Sequence, residues 1–212
     1  MLEKVMLQSK KLLDYRLVYD TFQTCVGSYS YRNKVIASSL TASTNKILDL
    51  GCGTGMTIPR ISESISYTGI ELSKVYAEYA SRRRINLEIK IGNVADPANY
   101  LNLELGKSDV IFALGLFHHL DDKTLNLMFE NLATVLQKGA KLISIDPYVD
   151  EKTTKFAAFV ARNDRGQFLR SEESISKLVA KQGLHFNYSV DRKVLNIPAD
   201  ILRGEIRVQT NN

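Results

Sequence analysis

Three glycines stand at alternate positions in the segment Asp49-Leu-Gly-Cys-Gly-Thr-Gly55, directly after a short apolar run. Glycine lets the backbone approach a ligand closely and adopt conformations that other residues avoid. A helix predicted after the glycines would add free N–H groups at its N-terminus. The pattern predicts a nucleotide-like ligand at Gly51, Gly53 and Gly55, with the small side chain of Cys52 between them.

Two acids near the glycines discriminate between nucleotide ligands. Glu71 lies twenty residues beyond Gly51, where the dinucleotide fingerprint G-x-G-x-x-G places an acid for a ribose hydroxyl. That fingerprint needs its third glycine at position 56, which is Met56. Asp49 would repel a pyrophosphate and would suit a ligand with a positive charge. S-adenosylmethionine (SAM) carries an ammonium, a sulfonium and no phosphate, so SAM is the predicted cofactor and NAD the weaker alternative.

Side chains able to move a proton follow two of the predicted strands. His118 and His119 follow the fourth strand, and Asp146 and Tyr148 follow the fifth. Ligands in open parallel sheets bind outside the carboxyl ends of the strands, so we expect these groups beside the cofactor. Histidine is a suitable general base at its ordinary pKa. His118 and His119 are the predicted catalytic residues, and packing or capping of the next helix is the alternative role.

Two segments rich in tyrosine and arginine could cover this site. One is the N-terminal stretch 1–44, which reads as two helices interrupted at Gly27, and the other is the insertion 148–171. Core packing would also account for the aromatic residues. The residues predicted to contact the acceptor are Tyr19, Tyr29, Arg32 and Tyr148.

Strand-like and helix-like segments alternate after residue 45, which predicts right-handed crossovers and a doubly wound, mainly parallel α/β sheet with helices on both faces. Two last strands, His185–Val194 and Ile201–Gln209, flank a turn-like segment and predict an antiparallel C-terminal hairpin at one edge of a seven-stranded sheet. The other predicted strands are Ile47–Leu50, Ile65–Ile70, Ile85–Ile91, Val110–Leu114 and Lys141–Asp146, and the helices between them are Met56–Glu63, Ser73–Arg83, Asp96–Leu105 and Asp121–Gln137.

Four segments in register resemble the class I SAM-dependent methyltransferases. Asp49 to Gly55 matches the D/E-x-G-x-G-x-G motif of that family, and Gly69-Ile-Glu71-Leu-Ser73 resembles its acid-ended second strand. The segment 109–122 is similar to the family's fourth strand and following loop, and 132–146 is similar to its next helix and fifth strand. The resemblance covers about residues 45–147 and implies a Rossmann-like fold and methyl transfer from SAM.

The resemblance also implies roles for individual residues in cofactor binding. The three glycines would pass under the methionine part of SAM, with Asp49 near its amino group, and Glu71 would accept both ribose hydroxyls. Where the family has an acid for the adenine amino group, this chain has Asn93, which could use its amide oxygen or could be a simple turn residue. The predicted cofactor site is completed by Cys52, Leu72, Val94 and Leu114.

Composition limits the other classes of function. The chain has 212 residues, of which 44% are hydrophobic, and a net charge of +5 spread along the sequence, so a nucleic-acid partner is not favoured. Two cysteines, Cys25 and Cys52, supply no zinc ligand set, and no metal site is predicted. Neither an apolar leader nor an 18-residue apolar run appears in the sequence, so we expect a cytoplasmic protein without a membrane partner.

The sequence therefore predicts a SAM-dependent methyltransferase acting on a small molecule, with O-methylation favoured. Methylation of RNA, or SAM binding without turnover, remain the alternatives. Residues 1–44 are expected to form a helical lid and residues 45–212 the SAM-binding domain, in which 148–171 is a substrate-cap insertion. The acceptor and the oligomeric state are not determined by the sequence.

Overall fold

The computed structural model describes residues 16–84, 86–101, 103, 105–106, 109–136, 139–163 and 166–208, and for residues 16–19 it describes the backbone alone. These residues form a seven-stranded sheet in the order β3-β2-β1-β4-β5-β7-β6. The strands are β1 Lys46–Leu50, β2 Ser66–Glu71, β3 Leu87–Ile91, β4 Val110–Leu114, β5 Lys141–Tyr148, β6 Leu184–Arg192 and β7 Asp200–Val208. Strands β1 to β5 pair in parallel, whereas β7 pairs antiparallel with both β5 and β6. The predicted doubly wound sheet with a C-terminal hairpin at one edge is confirmed.

Six α-helices surround the described part of the sheet, and polar residues cap several of them. Ser73, Asp121 and Ser171 each accept a hydrogen bond from a backbone N–H in the first turn of the helix that follows. Such caps satisfy donors that have no partner within the helix. The helices are α1 Arg16–Cys25, α2 Ser28–Ser39, α3 Lys74–Ala80, α4 Asp122–Val135, α5 Lys155–Arg162 and α6 Glu172–Ala180.

Two predicted helices are wrong. The segment predicted as helix 56–63 contains only a 3-10 turn over Ile58–Arg60, and the described residues of the segment 96–105 contain only a 3-10 turn over Pro97–Tyr100. Pro59 would stand inside the first of these helices, where proline removes a hydrogen bond and clashes with the preceding turn. The first turn ends in an extended residue, Ile61, and the second ends at Leu101, whose ψ of 135° is not helical. As a consequence, no α-helix begins directly after the glycine turn.

Helices cover both faces of the sheet, as predicted. Successive side chains of a strand point to opposite faces, and in β4 Ile111 belongs to one hydrophobic cluster while Phe112 belongs to the other. Helices α4 and α6 contribute to the first cluster, and α2 and α3 contribute to the second. Tyr31, Val35 and Ile36 of α2 are buried in the second cluster. Residues 1–15 of the predicted N-terminal lid lie outside the described residues.

Candidate functional site

A cavity of about 940 Å³ lies at the carboxyl ends of the parallel strands. The strand order reverses between β1 and β4, and ligands of open α/β sheets bind in the crevice at such a reversal. The cavity is lined by every predicted cofactor residue except Gly55, namely Asp49, Gly51, Cys52, Gly53, Glu71, Leu72, Asn93, Val94 and Leu114. The two predicted histidines, His118 and His119, line the same cavity.

The glycine turn has the left-handed backbone that its sequence predicts. Gly51, Gly53 and Gly55 have φ angles of 66°, 57° and 69°. A Cβ added to Gly53 would meet no atom within 4 Å, so this glycine faces open space. Gly55 is different, because a Cβ there would lie 3.0 Å from the Cα of Ala80 on α3. Gly53 is therefore open to a ligand, whereas Gly55 allows close packing behind the turn.

The Glu71 carboxylate is held by backbone groups on both sides. Its Oε2 accepts a hydrogen bond of 3.0 Å from the N–H of Gly53, and its Oε1 accepts one of 2.8 Å from the N–H of Ser73. A carboxylate has about four acceptor sites in total, so each oxygen can still accept a ligand hydroxyl. The position of this carboxylate at the end of β2 is thus fixed before any ligand binds.

Asp49 is a buried acid beside the glycine turn, with 4% of its surface exposed. It accepts a hydrogen bond of 2.6 Å from the hydroxyl of Tyr67. Burial raises the pKa of Asp49 to about 6, although the Tyr67 hydrogen bond and the charge of Arg32 act in the opposite direction. The neighbouring Glu71 charge raises this pKa further. The negative charge of Asp49 is therefore incompletely compensated by the described residues, and a cationic ligand group would compensate it.

Arg32 brings a guanidinium from α2 to the end of β4. A Cβ added to Gly115, which has φ of 79°, would lie 2.7 Å from the Arg32 Nη2, so a larger residue here would displace the guanidinium from this position. The Nε of Arg32 is buried and has no hydrogen-bond partner among the described residues. The cavity thus presents an arginine and an acid, Asp49, to the same ligand region.

His118 is held by Asp146, which lies in β5. The Oδ1 of Asp146 accepts a 3.0 Å hydrogen bond from the backbone N–H of His118 and lies 2.6 Å from its Nδ1. Both side chains are buried, whereas His119 is exposed and its ring centroid lies 4.1 Å from that of His118. A hydrogen on Nδ1 that donates to Asp146 leaves Nε2 of a neutral His118 as the basic nitrogen.

At the end of β3, the side chains of Asn93 and Asp96 each accept a backbone hydrogen bond. The Oδ1 of Asn93 accepts a 2.9 Å hydrogen bond from the N–H of Ala95, and the carboxylate of Asp96 accepts one of 2.9 Å from the N–H of Ala98. Both side chains therefore stabilise turns. Leu72 contributes an apolar surface to this part of the cavity, because 71% of the residue is exposed there.

Two of the four residues predicted to contact the acceptor line the cavity. Tyr29 and Arg32 line the cavity, and the side chain of Tyr19 lies outside the described residues although its backbone belongs to α1. Tyr148 does not line the cavity, because its ring is buried in the first hydrophobic cluster and its hydroxyl donates a 2.6 Å hydrogen bond to Glu172 of α6.

Several residues that line the cavity were not among the predicted ligand contacts. Phe22 on α1 and Phe159 on α5 are 44% and 60% exposed and line the cavity. Leu195 and Ile197 reach it from the connection between β6 and β7. The apolar side chains of Leu195 and Ile197 could have indicated this contact from the sequence, because the residues of an exposed turn are usually polar.

Two further findings concern the part of the chain that the structure describes. It contains no cluster of three histidine, cysteine or acidic side chains able to hold a metal ion. No helix in the same residues has the length and apolar character needed to cross a membrane.

Comparison with known proteins gives a consistent result. Residues 47–139 match the family model of a methyltransferase domain. A ubiquinone biosynthesis O-methyltransferase of Coxiella burnetii is 25% identical over 116 residues, which are 52% of this chain and 47% of the relative. The O-methyltransferase resE of Aspergillus sclerotiorum is 28% identical over 144 residues, which are 65% of this chain and 53% of the relative. The chain thus spans about half the length of these curated relatives.

A solved structure with a similar fold is that of NcsB1, an O-methyltransferase from neocarzinostatin biosynthesis, in complex with S-adenosyl-L-homocysteine (SAH) and 1,4-dihydroxy-2-naphthoic acid. Its TM-score is 0.65, at 17% sequence identity, over 94% of this chain and 61% of the other.

Proposed function

We propose that this chain, whose residues 47–139 match the model of a methyltransferase domain, transfers a methyl group from SAM to a small-molecule acceptor, by O-methylation. The observation that carries this proposal is the pair of carboxylates, Asp49 and Glu71, at a glycine turn that no α-helix follows. Two negative charges without a helix N-terminus disfavour a pyrophosphate. They suit a ligand with an ammonium and a ribose.

The described residues fit such a ligand group by group. Asp49 would hold the ammonium and Glu71 the two ribose hydroxyls, while Leu72 would contact the adenine. Arg32 is assigned to the carboxylate of the cofactor instead of to the acceptor, because its guanidinium acts on Asp49 and its buried Nε lacks a partner among the described residues. A zwitterionic amino acid would thus meet one opposite charge at each end. When bound, SAM supplies the methyl group on a sulfonium.

His118 would act as the general base for an acceptor hydroxyl. Asp146 fixes the ring through Nδ1 and would stabilise the imidazolium after Nε2 accepts the proton. General base catalysis of this kind contributes roughly 10²- to 10⁴-fold to a rate. Orientation of the reactants by the cavity contributes further.

The relatives support the acceptor class. The matched relatives are named as O-methyltransferases, and the similar structure contains a dihydroxylated aromatic acid. Residues 1–44 as a helical lid and 148–171 as a substrate cap stay part of the proposal. In its support, α1, α2 and α5 each contribute residues to the cavity.

The test is methyl transfer from radiolabelled SAM to a small-molecule extract and, separately, to total RNA. We expect label in the small-molecule fraction and its loss with Glu71→Ala. Label in RNA alone would assign the chain to RNA methylation, and SAM binding without any transfer would leave a binding protein.

A further inference from the structure

The connection between β6 and β7, residues 193–199, has no role in the chemistry proposed above. Leu195, Ile197 and Ala199 nevertheless line the cavity. Asp200 pairs with Tyr148 in the ladder between β7 and β5, so this connection lies at the carboxyl end of β5, where Asp146 holds His118. The connection therefore borders the half of the cavity that lies next to the proposed base.

Asn196 ties this connection to the turn between α1 and α2. Its backbone N–H donates a 2.9 Å hydrogen bond to the carbonyl of Val26, and its side-chain Nδ2 donates one of 3.0 Å to the carbonyl of Cys25. Gly27, with φ of 81°, leaves room for this contact, because a Cβ there would lie 3.1 Å from the Asn196 Cγ. Two segments far apart in sequence are thereby joined at one residue.

The two joined segments both line the cavity, and we call their lining residues Val26, Leu195 and Ile197 the acceptor wall. Val26 lies on one side of the Asn196 contacts, and Leu195 and Ile197 lie on the other, all three facing the cavity. Of the charged groups assigned to the cofactor, Asp49 and Glu71 stand at the ends of β1 and β2, and Arg32 lies beside Gly115 at the end of β4. The three residues that the acceptor wall presents to the cavity are thus all apolar.

We propose that Leu195 and Ile197 determine which acceptors the cavity accepts, and that Asn196 is the positioning residue that holds them. The acceptor class this favours is an apolar hydroxylated ring large enough to contact the wall. This inference rests on the proposed function, since it places the acceptor beside His118.

The test measures binding of two neutral probes, 2-naphthol and phenol, to the SAH complex by fluorescence titration, with SAH affinity measured separately by calorimetry. The wild-type complex should bind 2-naphthol more tightly than phenol by tenfold or more, because a second ring buries several carbons and each buried methylene contributes about fourfold. Asn196→Ala should reduce that preference to about twofold or less and leave SAH affinity unchanged. Ile197→Phe, which narrows the cavity, should weaken 2-naphthol binding and spare phenol.

The matched control is Asn187→Ala, an exposed asparagine of β6, which should leave the preference unchanged. Equal weakening of SAH and 2-naphthol by Asn196→Ala would overturn the positioning role, as would an unchanged preference. A wild-type complex that binds SAH without preferring 2-naphthol would overturn the acceptor wall alone. Failure to bind SAH would count against the proposed function itself.

Discussion

Replacing Asp49 by asparagine should stabilise the ligand-free protein and weaken the binding of its cofactor. Asparagine keeps an oxygen that can accept the Tyr67 hydrogen bond, and it removes the buried charge. Burial is the largest cause of the raised pKa of Asp49, which moves from 3.8 to about 6. Compared with the unfolded state, the native state therefore binds the proton of Asp49 more tightly, and asparagine imitates the protonated form.

The size of the effect follows from proton linkage. Because the folded pKa is the higher one, the native state binds more protons than the unfolded state between pH 3.8 and about 6. The contribution of Asp49 to the stability of the wild type consequently falls as pH rises through this window and is constant above it. The stabilisation by Asp49→Asn should be on the order of 1.5 kcal/mol at pH 5 and roughly 3 kcal/mol at pH 7.5.

Urea unfolding of both proteins at the two pH values checks this prediction. The matched control is Asp109→Asn, because Asp109 is also buried but accepts three backbone N–H groups, and its replacement should destabilise. SAH affinity of Asp49→Asn should fall by roughly tenfold to a hundredfold through loss of a charge-assisted contact. A difference in unfolding free energy that is the same at pH 5 and pH 7.5 would refute the reasoning.

Three other substitutions test separate parts of the site. Glu71→Gln should raise the Kd for SAH, measured by calorimetry, at least tenfold. The control Glu88→Gln, at an exposed acid of β3, should leave this Kd unchanged. A change within twofold for Glu71→Gln would contradict the ribose role. His118→Asn should lower kcat roughly 10²-fold with SAH affinity unchanged, while His119→Asn should keep most of the activity. Equal losses of kcat in the two variants would contradict the assignment of His118 as the base. Thr54→Val deletes the 2.7 Å hydrogen bond to Asp20 of α1 and should cost about 1 kcal/mol in thermal unfolding; an unchanged Tm would show that this contact does not hold α1.

Much of the fold was predictable because its signals are local. The apolar run before Gly51, the regular alternation of strands and helices, and the cap at Ser171 each act within a few residues. The helix predicted across Pro59 was wrong because the prediction relied on the spacing of apolar residues and ignored a proline, which the interior of an α-helix excludes. The glycine turn is therefore not followed by an α-helix N-terminus, and the Glu71 carboxylate accepts the N–H of Gly53 in this turn.

The site was predictable on its cofactor side and less so on its acceptor side. The glycine turn and the strand ends mark where Asp49 and Glu71 must stand. Leu195 reaches the cavity only because β7 inserts between β5 and β6, an order that local pattern does not reveal. Tyr148 was wrongly predicted to contact the acceptor. Strand β5 continues through this residue, and its ring packs in the core instead.

Calorimetry with SAM, SAH and NAD on the wild-type protein tests the central claim most directly. The two carboxylates at the glycine turn predict binding of SAM and SAH, with no measurable binding of NAD under the same conditions. Tighter binding of NAD than of SAH would contradict the account at its foundation.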